Sequence, residues 1–215
     1  MRFDEIEKDS AVISSYEFLI MVSHAFQKPD PVGFLIESGL LKDQTLSPIR
    51  IGRALKEYVS PNIKSSEYAA IAEAAAIDSF NYWFQQNASN ETSLFGEGHS
   101  NLDFLKKLGT GSGFCELSRL YFAKFTERYL KYFLEREASS QFTTLSERER
   151  FNSEISSHLD KVSKHAFETS KITQSFAAGW FNKNVKESLP SRKKIESFLN
   201  IAFGKMKGEL LREEN

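Results

Sequence analysis

Four histidines, one cysteine and scattered carboxylates are the groups in this chain that could ligate a metal or serve as nucleophile and base. On helical spacing Glu154 and His158 share a face, and His165 follows seven residues later. Two turns of helix set those imidazoles about 10 Å apart, too far for both to hold one ion. A zinc site would need further ligands from other helices. His24 and His99 stand apart from this group, so the histidines read as polar surface groups and no metal is expected. Cys115 opens a helix after a glycine-rich turn, where the helix dipole favours a thiolate. A nucleophilic thiolate also needs an oriented histidine beside it, which the sequence does not place, so Cys115 reads as a buried structural residue. No serine-centred elbow, phosphate-loop lysine or carboxylate pair of recognised spacing occurs. An enzyme is therefore not expected.

Leu108 to Gly113 reads LGTGSG. This turn resembles the glycine-rich first motif of S-adenosylmethionine-dependent methyltransferases, in which it joins the first strand to a helix and lets the backbone approach the cofactor. The resemblance would imply an α/β fold and a cofactor at residues 109–113. The flanking sequence departs from that pattern: Asp103, Lys106 and Lys107 precede the turn in a helix-like segment, and Tyr129 to Glu137 continues as helix where a second strand is required. A helix-to-helix turn with glycines at its tight points fits the surroundings better, and no cofactor is expected.

The cations suggest a different kind of chemistry. Arg50, Arg53 and Lys56 recur at three-residue steps on one helix, as phosphate-contacting residues of a recognition helix would. Lys183, Lys186, Arg192, Lys193 and Lys194 gather around Pro190 and form a denser group that could meet phosphates. Solvated helix faces and helix-end dipoles account for both groups equally well. Candidate anchors for a protein partner are the rings Tyr82, Trp83 and Phe84, with Phe176 and Trp180 further on, since aromatic residues dominate interface hot spots. Packed inside, the first three would instead plug one end of a bundle.

These groups must be positioned by helices, because the apolar residues recur at steps of three and four throughout. Asp9 or Ser10 caps a first helix to about Lys28 whose apolar residues run nearly all round, so it should be well buried. Asp30-Pro31 starts a second helix that stops at Gly39, and Ser47-Pro48 starts a third that ends before Pro61. Their rhythm resembles a helix-turn-helix unit. An alanine-rich helix from Ser65 or Ser66 to about Gln86 follows. The polar stretch 87–100 reads as a flexible loop, and Ser100 with Asp103 as the cap of a short helix to Leu108. Phe114, Leu117, Tyr121, Phe125, Tyr129, Tyr132 and Phe133 mark the next helix as the expected centre of the core. Thr144 with Glu147 has capping-box spacing and announces one long helix to about Ser188, and after Pro190 a last helix reaches about Arg212.

The expected class is all-α: a multi-helix bundle with a small N-terminal helix-turn-helix-like unit, residues 1–64, on a larger helical part, residues 65–215. With 215 residues and a formal net charge of −1, the chain is not built for wholesale binding to nucleic acid or anionic membrane. One cysteine excludes an intramolecular disulfide and suits a reducing compartment. MRFDEIEKDS is unlike a secretory signal and no apolar run spans a bilayer, so a cytoplasmic protein without membrane contact is expected. The expected function is a non-catalytic subunit or adaptor that binds other proteins, with homo-oligomers possible. A DNA-binding module and an enzyme using the 109–113 turn are the alternatives.

Overall fold

The computed structural model describes residues 3–63, 66–89, 102–138, 144–151, 153, 154, 157 and 176–212. All regular structure among them is helical. In order these are α1 (Phe3–Ile6), α2 (Ser10–Ala25), α3 (Pro31–Glu37), α4 (Pro48–Val59), α5 (Ser66–Ser89) and α6 (Gly111–Ala138). Residues 145–151 are also helical, then come α7 (176–184) and α8 (Arg192–Arg212). Short 3-10 segments lie at Ser60–Asn62 and Leu102–Gly109. The all-α multi-helix bundle read from the sequence is what the chain forms.

Local chemistry sets most helix starts. The Asp9 carboxylate accepts from the amides of Ala11 and Val12 at 2.9 and 3.2 Å, Asp30 from Gly33 at 2.9 Å, and Ser47 from Arg50 at 3.4 Å. Each satisfies amides that a helix start leaves unpaired. The capping box forms in both directions: Thr144 N–H donates to Glu147 Oε2 at 3.2 Å, and Glu147 N–H to Thr144 Oγ1 at 3.3 Å. Gly39, at φ 72°, terminates α3 in the left-handed region. Leu102 to Gly109 winds as a 3-10 helix where a short α-helix is expected. The expected loop 87–100 begins as helix, since α5 runs to Ser89; the rest of that stretch, and residues 158–175 of the expected long helix, lie outside the described residues.

The centre of the core is α2, not α6. Thirteen of the sixteen α2 residues are buried, including Ser14, Ser15, Ser23 and His24. Its only ordinarily charged side chain, Glu17, meets Arg192, so α2 can be enclosed on all sides. α6 is most enclosed up to Thr126, where Phe114, Leu117, Tyr121 and Phe125 are fully buried, and Tyr129 beyond it is buried too. Its charged second half carries Lys131, Tyr132, Leu134 and Arg136 into solvent.

α5 and α6 form the most extensive helix pair. Asp78 pairs with Arg128, and Glu67 lies 3.7 Å from Arg136, whereas Trp83 lies against Glu116. Contacts that move down one helix while moving up the other make the pair antiparallel. Tyr16 of α2 joins the layers: its ring stacks on Phe198 of α8 at 5.4 Å and lies 5.3 Å from Tyr121 of α6. α3 and α4 both pack on α2, and α4 also on α5, so the core draws on both sides of residue 64. The connection between α3 and α4, residues 38–47, is longer than the three- or four-residue turn of a helix-turn-helix.

Candidate interaction surfaces

The glycine-rich turn is occupied by protein. A Cβ on Gly109 would stand 2.5 Å from the Phe26 carbonyl oxygen, and one on Gly113 would collide with the Lys107 carbonyl. Gly111 lies under the Asn182 side chain, 2.8 Å from a Cβ position. Close approach of the chain after α2 and of the preceding 3-10 helix therefore accounts for Gly109 and Gly113, whereas the Asn182 side chain over Gly111 could turn aside. Thr110 caps α6, its Oγ1 accepting from the Gly113 amide at 3.1 Å. Gln27, Gly109, Asn182 and Lys186 border an open, polar cleft beside this turn.

Cys115 is buried, and burial pushes its thiol up to about 11, so it is protonated at neutral pH despite its place in the first turns of α6. His24 is also buried, where the sequence suggests a surface group. Its Nδ1 lies 2.7 Å from the Val185 carbonyl oxygen, and its ring packs edge-on against Phe34 at 5.5 Å. An Nδ1–H donating to Val185 ties the end of α2 to the connector after α7. Burial, then the Lys28 charge, hold the His24 pKa below its ordinary value. Among the described residues no group of three or more His, Cys, Asp or Glu side chains is placed to hold a metal. His99, His158 and His165 lie outside them.

The α4 cations divide. Arg50 pairs with Asp43, whose carboxyl is held below its usual range by the Thr45 amide and then by Arg50. Lys56 lies near Glu73, a carboxyl that burial raises and Lys56 partly restores. Arg53 is exposed and makes no ion pair among the described residues. The second cluster divides too. Arg192 turns inward, donating to the Ser10 carbonyl at 3.0 Å and Ser14 Oγ at 3.3 Å, with Glu17 at 3.8 Å. It anchors the start of α8. The same Glu17 faces Tyr58, whose phenol is pushed up to about 12 by burial and then by that carboxylate. Lys183, Lys186, Lys193 and Lys194 are exposed and without ion pairs among the described residues.

Of the aromatic candidates, Trp83 is 1% exposed and donates its indole N–H to Glu116 at 3.2 Å. Phe84 is half-buried, edge-on to Phe104 at 5.0 Å, and Tyr82 is exposed. Phe176 and Trp180 are half-buried against Phe198, at 5.2 and 4.7 Å. Tyr82 alone of the five presents an exposed ring.

One exposed surface with apolar content was not singled out from the sequence. On α8, Ile201 is 45% and Leu211 51% exposed, on the side away from the buried Ile195, Phe198, Leu199, Ala202 and Phe203. The signal was present in Gly204 and Gly208, two glycines inside a helix. A Cβ at either would meet nothing within 4 Å. On α6, Tyr132 and Leu134 are likewise exposed. No helix among the described residues is long and apolar enough to cross a membrane. Comparison with known protein families, curated proteins and solved structures gave no match.

Proposed function

We propose that this chain is a non-catalytic helical subunit or adaptor, working in the cytoplasm by binding other proteins in a larger assembly. One observation carries the reading: beside a buried core, helix surface among the described residues keeps exposed aliphatics, as on α8, where Ile201 and Leu211 stand in solvent. Single exposed aliphatics are ordinary, but two on one helix side together with interior glycines suit a contact surface. The burial of Cys115 as a protonated thiol fits a role without catalysis. The test is size-exclusion chromatography with light scattering on protein purified gently from its native source. A stable complex of defined composition is expected, and the bare 24.5 kDa chain would count against the reading.

A second reading, a polyanion-binding module, is favoured by the division among the cations. Arg50, Arg128 and Arg192 are engaged by carboxylates, whereas Arg53, Lys183, Lys186, Lys193 and Lys194 are not, among the described residues. Duplex DNA binding that weakens with salt, and on changing Lys183 and Lys186 to Glu, would support it. Binding unaffected by these changes would remove it.

A further inference from the structure

α8 is 21 residues long, roughly 30 Å. One side is in the core, and at about 100° per residue the opposite residues form a single strip. Three features of that strip bear on what covers it. Among its described charges cations prevail: Lys193, Lys194, Lys205 and Arg212 are exposed along it, with exposed Glu196 at one margin as Lys205 is at the other. Some cations elsewhere sit beside carboxylates, as Lys124 does with Glu127 at 3.0 Å and Lys42 with Glu57 at 2.9 Å. Lys193, Lys194 and Lys205 have no such neighbour among the described residues.

The strip's apolar content is the second feature. Ile201 and Leu211 lie between the cations, and neither is needed by the core, which closes on the other side of the helix. The third is its flatness. An interior glycine costs a helix about 1 kcal/mol relative to alanine. Gly109 and Gly113 have steric reasons to be glycine, but Gly204 and Gly208 touch nothing that requires it. Four residues apart, they stand one above the other in the middle of the strip, where they let a second backbone come close.

We propose that this strip is the docking surface for an acidic amphipathic helix of a partner protein. The proposal rests on the subunit reading above and names its site and partner chemistry. Leucine-like side chains of the incoming helix would pack on Ile201 and Leu211 across the glycines, and its flanking carboxylates would meet Lys193, Lys194 and Lys205. A polynucleotide would use the cations but not the two aliphatics or the flat centre, so a protein helix fits better.

The test uses the full chain and a fluorescent helical peptide of the same length as α8, with leucine along one side and glutamate on both flanks. Its counterpart carries lysine in place of glutamate. Fluorescence anisotropy should show the glutamate peptide binding at least about tenfold more tightly. Binding should fall at least about tenfold with Gly204→Leu and Gly208→Leu together, and with Lys205→Glu. The glycine variants fill open space and should fold, which a melting curve checks. Equal binding of both peptides, no binding at millimolar concentration, or no loss in the variants would overturn the proposal. So would tighter binding of a short DNA duplex that is lost in Lys193→Glu and Lys194→Glu. If the complex from the native source persists in the double glycine variant, the strip is not the site but the subunit reading stands. If the wild-type chain has no partner at all, that reading itself fails.

Discussion

Tyr16 and Tyr121 lie 5.3 Å apart in the core, and both rings are fully buried, yet their hydroxyls differ. Tyr16 shares a hydrogen bond with Ser118 at 2.8 Å, whereas the Tyr121 hydroxyl has no partner among the described residues. Removing one half of a buried pair leaves the other unsatisfied, so Tyr16→Phe should cost about 1–2 kcal/mol in urea unfolding. Tyr121→Phe removes an unpaired group and should be neutral or stabilise by about 1 kcal/mol. His24 makes a pH prediction. Its folded pKa lies below the ordinary 6.5, so between the two values the unfolded chain binds a proton that the folded chain refuses. Stability should fall as pH drops from about 6.5 through the folded pKa, and His24→Asn should flatten that slope in paired melts at several pH values. None of this was legible in the sequence. Val185, the partner that buries His24, is 161 residues away, and nothing local to HAFQK announces it.

At the scale of elements, the same substitution should act with opposite signs. Gly113→Ala drives a methyl into the Lys107 carbonyl and Gly109→Ala into that of Phe26, each costing about 1–3 kcal/mol. Gly204→Ala meets open space and should stabilise by about 1 kcal/mol, visible as a higher melting temperature. Helix starts at Asp9, Asp30, Ser47 and Thr144 were legible because a cap and its amides lie within three residues. The aromatic spacing of α6 was equally clear, but its rank as the central helix was not. Enclosure depends on which helices surround an element, and α2, already legible as a well-buried helix, turned out to be the more enclosed of the two. The end of α7 is a further example. Helix-compatible residues continue to about 188, but the described helix stops at Asn184, before Val185 meets His24.

For the whole molecule, the all-α class followed from periodicity, whereas the division of each cation cluster did not. Arg192 sits among lysines in the sequence, but its reach to Ser10, Ser14 and Glu17 makes it a strap between α8 and α2. Losing it should loosen α8, so Arg192→Ala is expected to cost about 1–3 kcal/mol in unfolding, while Lys193→Ala stays within about 0.5 kcal/mol. That contrast separates the cations that hold the bundle together from those left to meet a partner. The central claim is that the uncovered helix surface exists for another protein. Light scattering on the size-exclusion peak of chain purified from its native source tests it most directly. A mass well above 24.5 kDa, with a second protein in fixed ratio, is the result expected. A well-folded 24.5 kDa monomer with nothing bound would contradict it.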